Sequence, residues 1–137
     1  MHDINKDIEL SKYRYSLAKQ TYNNAKMCFD NEFYRDCINR SYYAVFYAIR
    51  AVLALERIDF KRHKDVVAYF NKEFVARGKF PGEMGRRLAR LKMKREESDY
   101  SDFFIASADE AQTQLQSVEY ILPLISEYLA GHGVEIV

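Results

Sequence analysis

The chain has 137 residues, 48% of them hydrophobic and 30% charged, and a formal charge of +1. That balance is globular rather than disordered. It excludes a polycation that coats nucleic acid over its whole surface, so attraction for an anionic partner must come from a local patch. Two prolines and five glycines leave long stretches without punctuation, which favours helices. Cys28 and Cys37 are too few for a disulfide scaffold and read as small buried apolar residues of a reducing compartment. The N-terminal MHDINKDIEL has no signal-type apolar segment and no run reaches membrane-spanning length, so the expectation is a soluble, cytoplasmic protein without membrane association. One domain is expected over 1–137, with its core at about 8–130 and a tail at 131–137.

Ile4, Ile8, Tyr15, Ala18, Tyr22, Ala25 and Phe29 recur at steps of three and four, with a polar gap at Ser11; this spacing predicts a first amphipathic helix. Asp30-Asn31 interrupts it and can cap the next. A second helix over about 32–56 has three sides. Ile38, Tyr42, Val45, Phe46, Ile49 and Leu53 make a large apolar face, and Cys37, Ala44, Ala48 and Ala51 make a strip of small residues open to close helix approach. Asp36, Arg40, Tyr43, Tyr47 and Arg50 form a third, polar and aromatic stripe. Two apolar sides put this helix centrally in a bundle. The tyrosines are expected to bury their rings while hydroxyls and guanidinium groups satisfy one another.

His63 opens a third helix to about Arg77, with Val66, Val67, Phe70 and Phe74 inward and Gly78 as its C-terminal cap. Pro81 suits the first turn of a short basic helix to about residue 97. No period is visible from Ser98 to Phe104. Ser107 and Glu110 form a capping box, and Ala108, Ala111, Leu115, Val118, Leu122, Ile125 and Leu129 continue as a heptad seam. Pro123 removes an amide within that helix and predicts a bend. His2 and His132 lie in the tails. There is no strand pattern, so the fold class is all-α, an up-and-down bundle of four or five helices.

In order along the chain, RSYYAVFYAIRAVLAL, HKDVVAYFNKEFVARGKF and REESDY ahead of a long last helix resemble the HEPN superfamily, and more narrowly its small stand-alone members from bacteria and archaea. The resemblance covers about Leu10 to Leu129. It implies a helical bundle that pairs into a homodimer, and a minimal nucleotidyltransferase as partner in a toxin–antitoxin pair. Several branches are metal-independent endoribonucleases whose motif is an arginine followed by four to six residues and a histidine. The corresponding element here is Arg95, Asp99 and Tyr100, without histidine. An aspartate at neutral pH accepts a proton but has almost none to give, whereas cleavage needs a group that does both, as imidazole does. The spacing from Arg57 to His63 matches the motif only literally, since it bridges the second and third helices. In related systems the transferase modifies a tyrosine, and Tyr100 is the position that matches.

Two sets of site residues follow. Arg95, Asp99 and Tyr100 are the catalytic candidates. Because a helix continuing past Ser98 turns Tyr100 about 140° from Arg95, a joint site needs the helix to end near Ser98, and otherwise Arg95–Asp99 is a plain ion pair. Arg40, Tyr43 and Tyr47 are candidates for holding a nucleotide or RNA, the arginine meeting phosphate and the rings stacking on bases, unless Arg40 is buried against Asp36. His63 can meet a phosphate, and Arg86, Arg87 and Arg90 lead the strongest basic cluster, whose alternative is a solvated face balanced by acids. Nothing has metal-ligand spacing, so neither metal nor cofactor is expected. Three readings remain: a nucleotide- or RNA-binding regulatory module, a ribonuclease toxin, and a scaffold for protein contacts. The first requires the arginine–tyrosine row of the second helix to open into a cleft beside the basic helix.

Overall fold

The structure is a computed structural model and describes residues 3–136; His2, assigned above to a tail, lies outside them. Five α-helices build an all-α bundle: α1 (Ile4–Asp30), α2 (Tyr34–Leu55), α3 (His63–Phe70), α4 (Gly82–Tyr100) and α5 (Ala108–Gly131). The described residues include no strand.

Helix α2 is central because it is apolar on two sides, and it packs on α1, α3, α4 and α5. Cys37, Ala44, Ala48 and Ala51 are fully buried, as the small-residue strip predicts. The polar gap in α1 is part of this packing: Ser11 is buried and its hydroxyl donates to the Ala51 carbonyl at 2.8 Å. A leucine would not fit where two backbones come this close, and a serine satisfies its own hydroxyl there. Tyr15 ties α1 to α5 by donating to the Leu122 carbonyl at 2.9 Å. Each fully buried leucine, isoleucine or phenylalanine of this core stabilises the fold by about 1.5–3 kcal/mol relative to exposure.

Helix starts follow the sequence in part. Ser107 caps α5 by accepting from the Glu110 amide at 3.1 Å, the capping-box half that the motif predicts. Asn31 does not cap α2; it terminates α1, and the residue before α2 is Phe33, without a side-chain cap. Pro81 likewise precedes α4 rather than occupying its first turn. Helix α5 passes through Pro123 as one element, and Ala108 at its start is exposed instead of joining the seam.

Helix ends share one device. After α1, α2, the turn following α3, and α5, one residue takes positive φ: Glu32 (64°), Arg57 (59°), Gly78 (81°) and Gly133 (85°). In each case the next amide bonds back to a carbonyl five residues earlier, from Phe33 to Cys28, Ile58 to Leu53, Lys79 to Phe74 and Val134 to Leu129. This pattern satisfies orphan carbonyls and folds the chain back on the helix. At the last of them it carries Val134 into the core, fully buried, so the segment expected as a tail contributes to packing.

The third helical segment is not uniform. After Phe70 the chain widens into a π-turn (Asn71–Val75), with Ala76 donating to the Asn71 carbonyl at 2.8 Å. Helix α4 runs to Tyr100, past Ser98, so the aperiodic segment begins only at Ser101. That extension decides how Arg95, Asp99 and Tyr100 are arranged.

Candidate functional site around Arg95 and His63

The core-facing register of α4 reads Met84, Leu88, Leu91, Arg95 and Ser98. Arg95 therefore occupies a position where the helix otherwise places buried residues. Its guanidinium carbon lies 4.8 Å from the centre of the Tyr42 ring and 5.7 Å from that of Tyr43, both on α2. Nη1 donates to Asp99 Oδ2 at 3.1 Å, and the arginine side chain is only 13% exposed. Its Nε is buried without a hydrogen-bond partner among the described residues. Ring faces attract a cation that has lost most of its water, by about 0.5–2 kcal/mol.

His63, first residue of α3, meets the same tyrosine. Its ring is 5.8 Å from Tyr43 and 4.2 Å from Phe46, and the residue is exposed. Burial, then the charges of Arg95 and Arg50, hold its pKa below the ordinary 6.5. The imidazole is thus neutral at neutral pH and can accept a proton or a hydrogen bond. Arg50 completes the rim, bonded to Asp59 Oδ2 at 2.8 Å with its guanidinium 5.9 Å from Phe46. Burial works to raise the Asp59 carboxyl, but the Phe60 amide and Arg50 outweigh it, leaving it below its ordinary value.

Of the residues singled out in the sequence, Arg95, Asp99, Tyr43, Tyr47 and His63 come together, Tyr47 lying 6.4 Å from Tyr43. Asn39 reaches Asp99 at 3.4 Å. Five do not join them. Arg40 is exposed, is not buried against Asp36, and exerts its charge toward Cys28 at the end of α1. Arg86 and Arg87 are both bonded to Glu83, at 2.8 and 2.9 Å, and Arg87 also donates to Ser117 at 3.1 Å. Arg90 is exposed, one to two turns before Arg95. The basic cluster of α4 is thus largely the balanced face given above as its alternative, with Lys92 and Lys94 bonded to Glu96 and Glu97. Tyr100 is the last residue of α4 and 80% exposed, with no contact to the Arg95 cluster beyond an electrostatic effect on the Arg95 charge.

The cleft required of the α2 row is not found among the described residues, so a binding reading rests instead on Arg95 of α4 and the partly exposed rings of Tyr43 and Tyr47. A groove of about 610 Å³ lies between α3 and α4, lined among others by Lys64, Val67, Asn71, Lys92, Met93 and Glu96, and no α2 residue contributes. It adjoins the Arg95 cluster through Lys64 and Glu96, the sequence neighbours of His63 and Arg95. Tyr42 and Phe46 escaped sequence reasoning as site residues because their spacing assigns them to the apolar face. The usable signal was Arg95 itself, a charge spaced at three and four from Leu91 and Ser98.

The HEPN domain pattern matches residues 11–128. The chain belongs to the HEPN family. It is 29% identical over 126 residues to a UPF0332 protein of Thermotoga maritima, an overlap spanning 92% of this chain and 96% of that one. It is 32% identical over 99 residues to a Methanocaldococcus jannaschii protein named "Putative toxin", spanning 72% and 74%. A second protein of that organism with the same designation is 25% identical over 117 residues, spanning 85% and 80%. None of the described helices of this HEPN protein is long and apolar enough to cross a membrane.

Proposed function

We propose that this HEPN protein is the RNA-binding member of a toxin–antitoxin-type pair, with a minimal nucleotidyltransferase as its partner, and that it holds an RNA phosphate at Arg95. One observation carries the reading: a guanidinium at an interior register of α4, laid on Tyr42 and Tyr43 beside an exposed neutral imidazole. A leucine at position 95 would pack as well without the cost of desolvating a charge. Arginine is the residue that meets phosphate with two parallel donors, and Tyr43 and Tyr47 offer partly exposed rings to a base. The relatives named as toxins support the pairing, and the family resemblance supports a nucleotidyltransferase as the other member.

Cleavage is the second reading, and His63 favours it. The local motif lacks a histidine, but α3 supplies one at Tyr43, the ring that Arg95 also meets. A neutral imidazole can take the proton of a ribose 2′-hydroxyl as that oxygen attacks phosphorus; the P–O5′ bond breaks, and the leaving oxygen takes its proton from the imidazolium or from water. The products are a 2′,3′-cyclic phosphate and a 5′-hydroxyl. Incubation with labelled single-stranded RNA in chelator separates the two. Retention of RNA, weakened at least tenfold by Arg95→Ala and falling steeply with salt, supports the binding module. Cyclic-phosphate ends that vanish in His63→Asn establish the nuclease. RNA that neither binds nor breaks overturns both.

A further inference from the structure

The end of the bundle where α1 turns into α2 and α4 leads to α5 has a composition unlike the rest. Segments 30–36 and 96–110 carry nine acidic residues and one arginine, a formal charge of −8 in a molecule whose total is +1. The two segments pack together. Arg35 donates to the carbonyls of Ser98 and Ser101, and Phe104 and Ala106, like Tyr34 and Phe29, pack against the buried cluster of Ala25, Cys37, Ile38, Ala111 and Leu115. Lys92, Lys94 and Arg95 of α4 pair with Glu96, Glu97 and Asp99, and with Arg35 counted the local balance is about −5.

On this acidic ground stand apolar side chains that the fold does not use. Asp102 and Phe103 form a turn closed by the Phe104 amide on the Ser101 carbonyl, and residues 104–106 follow without regular structure. Phe104 and Ala106 turn inward, whereas Phe103 is 93% and Ile105 86% exposed. Phe33, 59% exposed, lines with Phe104 a groove of about 330 Å³. Neither the Ile105 nor the Ala106 amide has a hydrogen-bond partner within the described residues. Scattered surface apolar residues need no explanation, but a phenylalanine and an isoleucine this exposed, beside a groove and free amides, mark an interaction surface.

We infer that this end docks a protein segment carrying apolar side chains flanked by lysine or arginine. Charge selects the occupant. A second copy meeting this face through a two-fold axis would set two acidic faces, each of about −5, against one another, and like charges across an interface cost several kcal/mol. Nucleic acid and anionic lipid are repelled for the same reason. A cationic apolar segment is attracted from a distance and then buries Phe103, Ile105 and Phe33. The surface excludes the Arg95 guanidinium, which faces α2, so the inference stands apart from RNA binding.

The test uses the full chain and a fluorescent peptide of alternating lysine and leucine, with lysine–serine and glutamate–leucine peptides as controls. Expected are binding of the lysine–leucine peptide at least tenfold tighter than either control, and backbone NMR shifts confined to residues 33–36 and 101–106. A tenfold loss in the F103S/I105S double variant is also expected, with no loss in Arg95→Ala. Because both replaced side chains are exposed, the double variant keeps its Tm. Equal affinity for wild type and double variant, or shifts centred elsewhere, overturns the inference. So does a dimer in sedimentation that the double variant dissolves, since the occupant is then a second copy.

Discussion

Arg87 and Arg95 are the same residue on the same helix, two turns apart, and the fold uses them differently. Arg87 lies between Glu83 and the α5 residues Ser117 and Tyr120, its guanidinium 4.7 Å from the Tyr120 ring. It has an acid, a hydroxyl and a ring, the full set of partners of a structural arginine. Arg95 has two rings and Asp99, an Nε without a hydrogen-bond partner among the described residues, and a neighbouring imidazole. Counting positive charge along α4 does not separate them. Register does, because position 95 is spaced to face α2 and α3 where position 87 faces α5.

The largest expected effect comes from separating stability from binding at Arg95. Arg95→Met keeps the length and apolar stem of the side chain and removes the desolvated charge. Removing one member of an ion pair is costly when the other is left buried, but Asp99 is exposed, so Arg95→Met leaves no buried charge behind. The variant should therefore melt at or above the wild-type Tm while its RNA affinity drops at least tenfold, about 1.4 kcal/mol. A variant that melts lower and binds as before would make Arg95 structural, like Arg87.

Arg87→Ala should behave the opposite way. It removes hydrogen bonds to Glu83 and Ser117 and the contact with Tyr120, a loss of about 1 kcal/mol read as a lower urea midpoint. RNA affinity should stay within about twofold of wild type, the change expected of a distant screened charge. A loss of binding as large as at Arg95 would erase the contrast between the two halves of the helix. Arg86 belongs to the same half but is 71% exposed, with Glu83 as its ion-pair partner. Arg86→Ala should cost less than about 0.5 kcal/mol in the same titration.

The sequence shows the bundle clearly and the site only in outline. Helices α1, α2 and α5 are legible because their apolar residues recur at three and four, and α5 because Ser107 and Glu110 announce its start. Two of the four helix ends are legible for a similar reason, since glycine at 78 and 133 marks positive φ. The other two are not, because Glu32 and Arg57 take a conformation that costs a side chain about 1–2 kcal/mol and that no composition signals. At the site, Tyr43, Tyr47, Arg95 and Asp99 are visible as residue types in suggestive places. That His63 belongs beside Arg95 is invisible, because 32 residues separate them and only the packing of α3 and α4 on α2 joins them. The basic run of α4 misleads in the other direction: Glu83, Glu96 and Glu97 at steps of three and four from its cations neutralise most of it.

The smallest expected effect, and the most local, is on pH dependence. His63 meets the rings of Tyr43 and Phe46 and the charges of Arg95 and Arg50, with Asp59 paired to the latter. Its folded pKa lies below 6.5, so between that value and 6.5 the unfolded chain binds more protons, and stability rises with pH. On acidification this contribution is lost through the window beneath 6.5 and is level below the folded pKa. His63→Asn should flatten that part of a urea-midpoint profile, and Arg87→Ala should not change its slope. Bound phosphate reverses the sign at the same ring, because a nearby anion favours imidazolium. RNA binding at Arg95 should then take up a proton and tighten as pH falls from 7 to 6, in wild type and not in His63→Asn. If both proteins instead lose affinity in parallel over that range, the RNA sits elsewhere and the two halves of α4 differ only in packing.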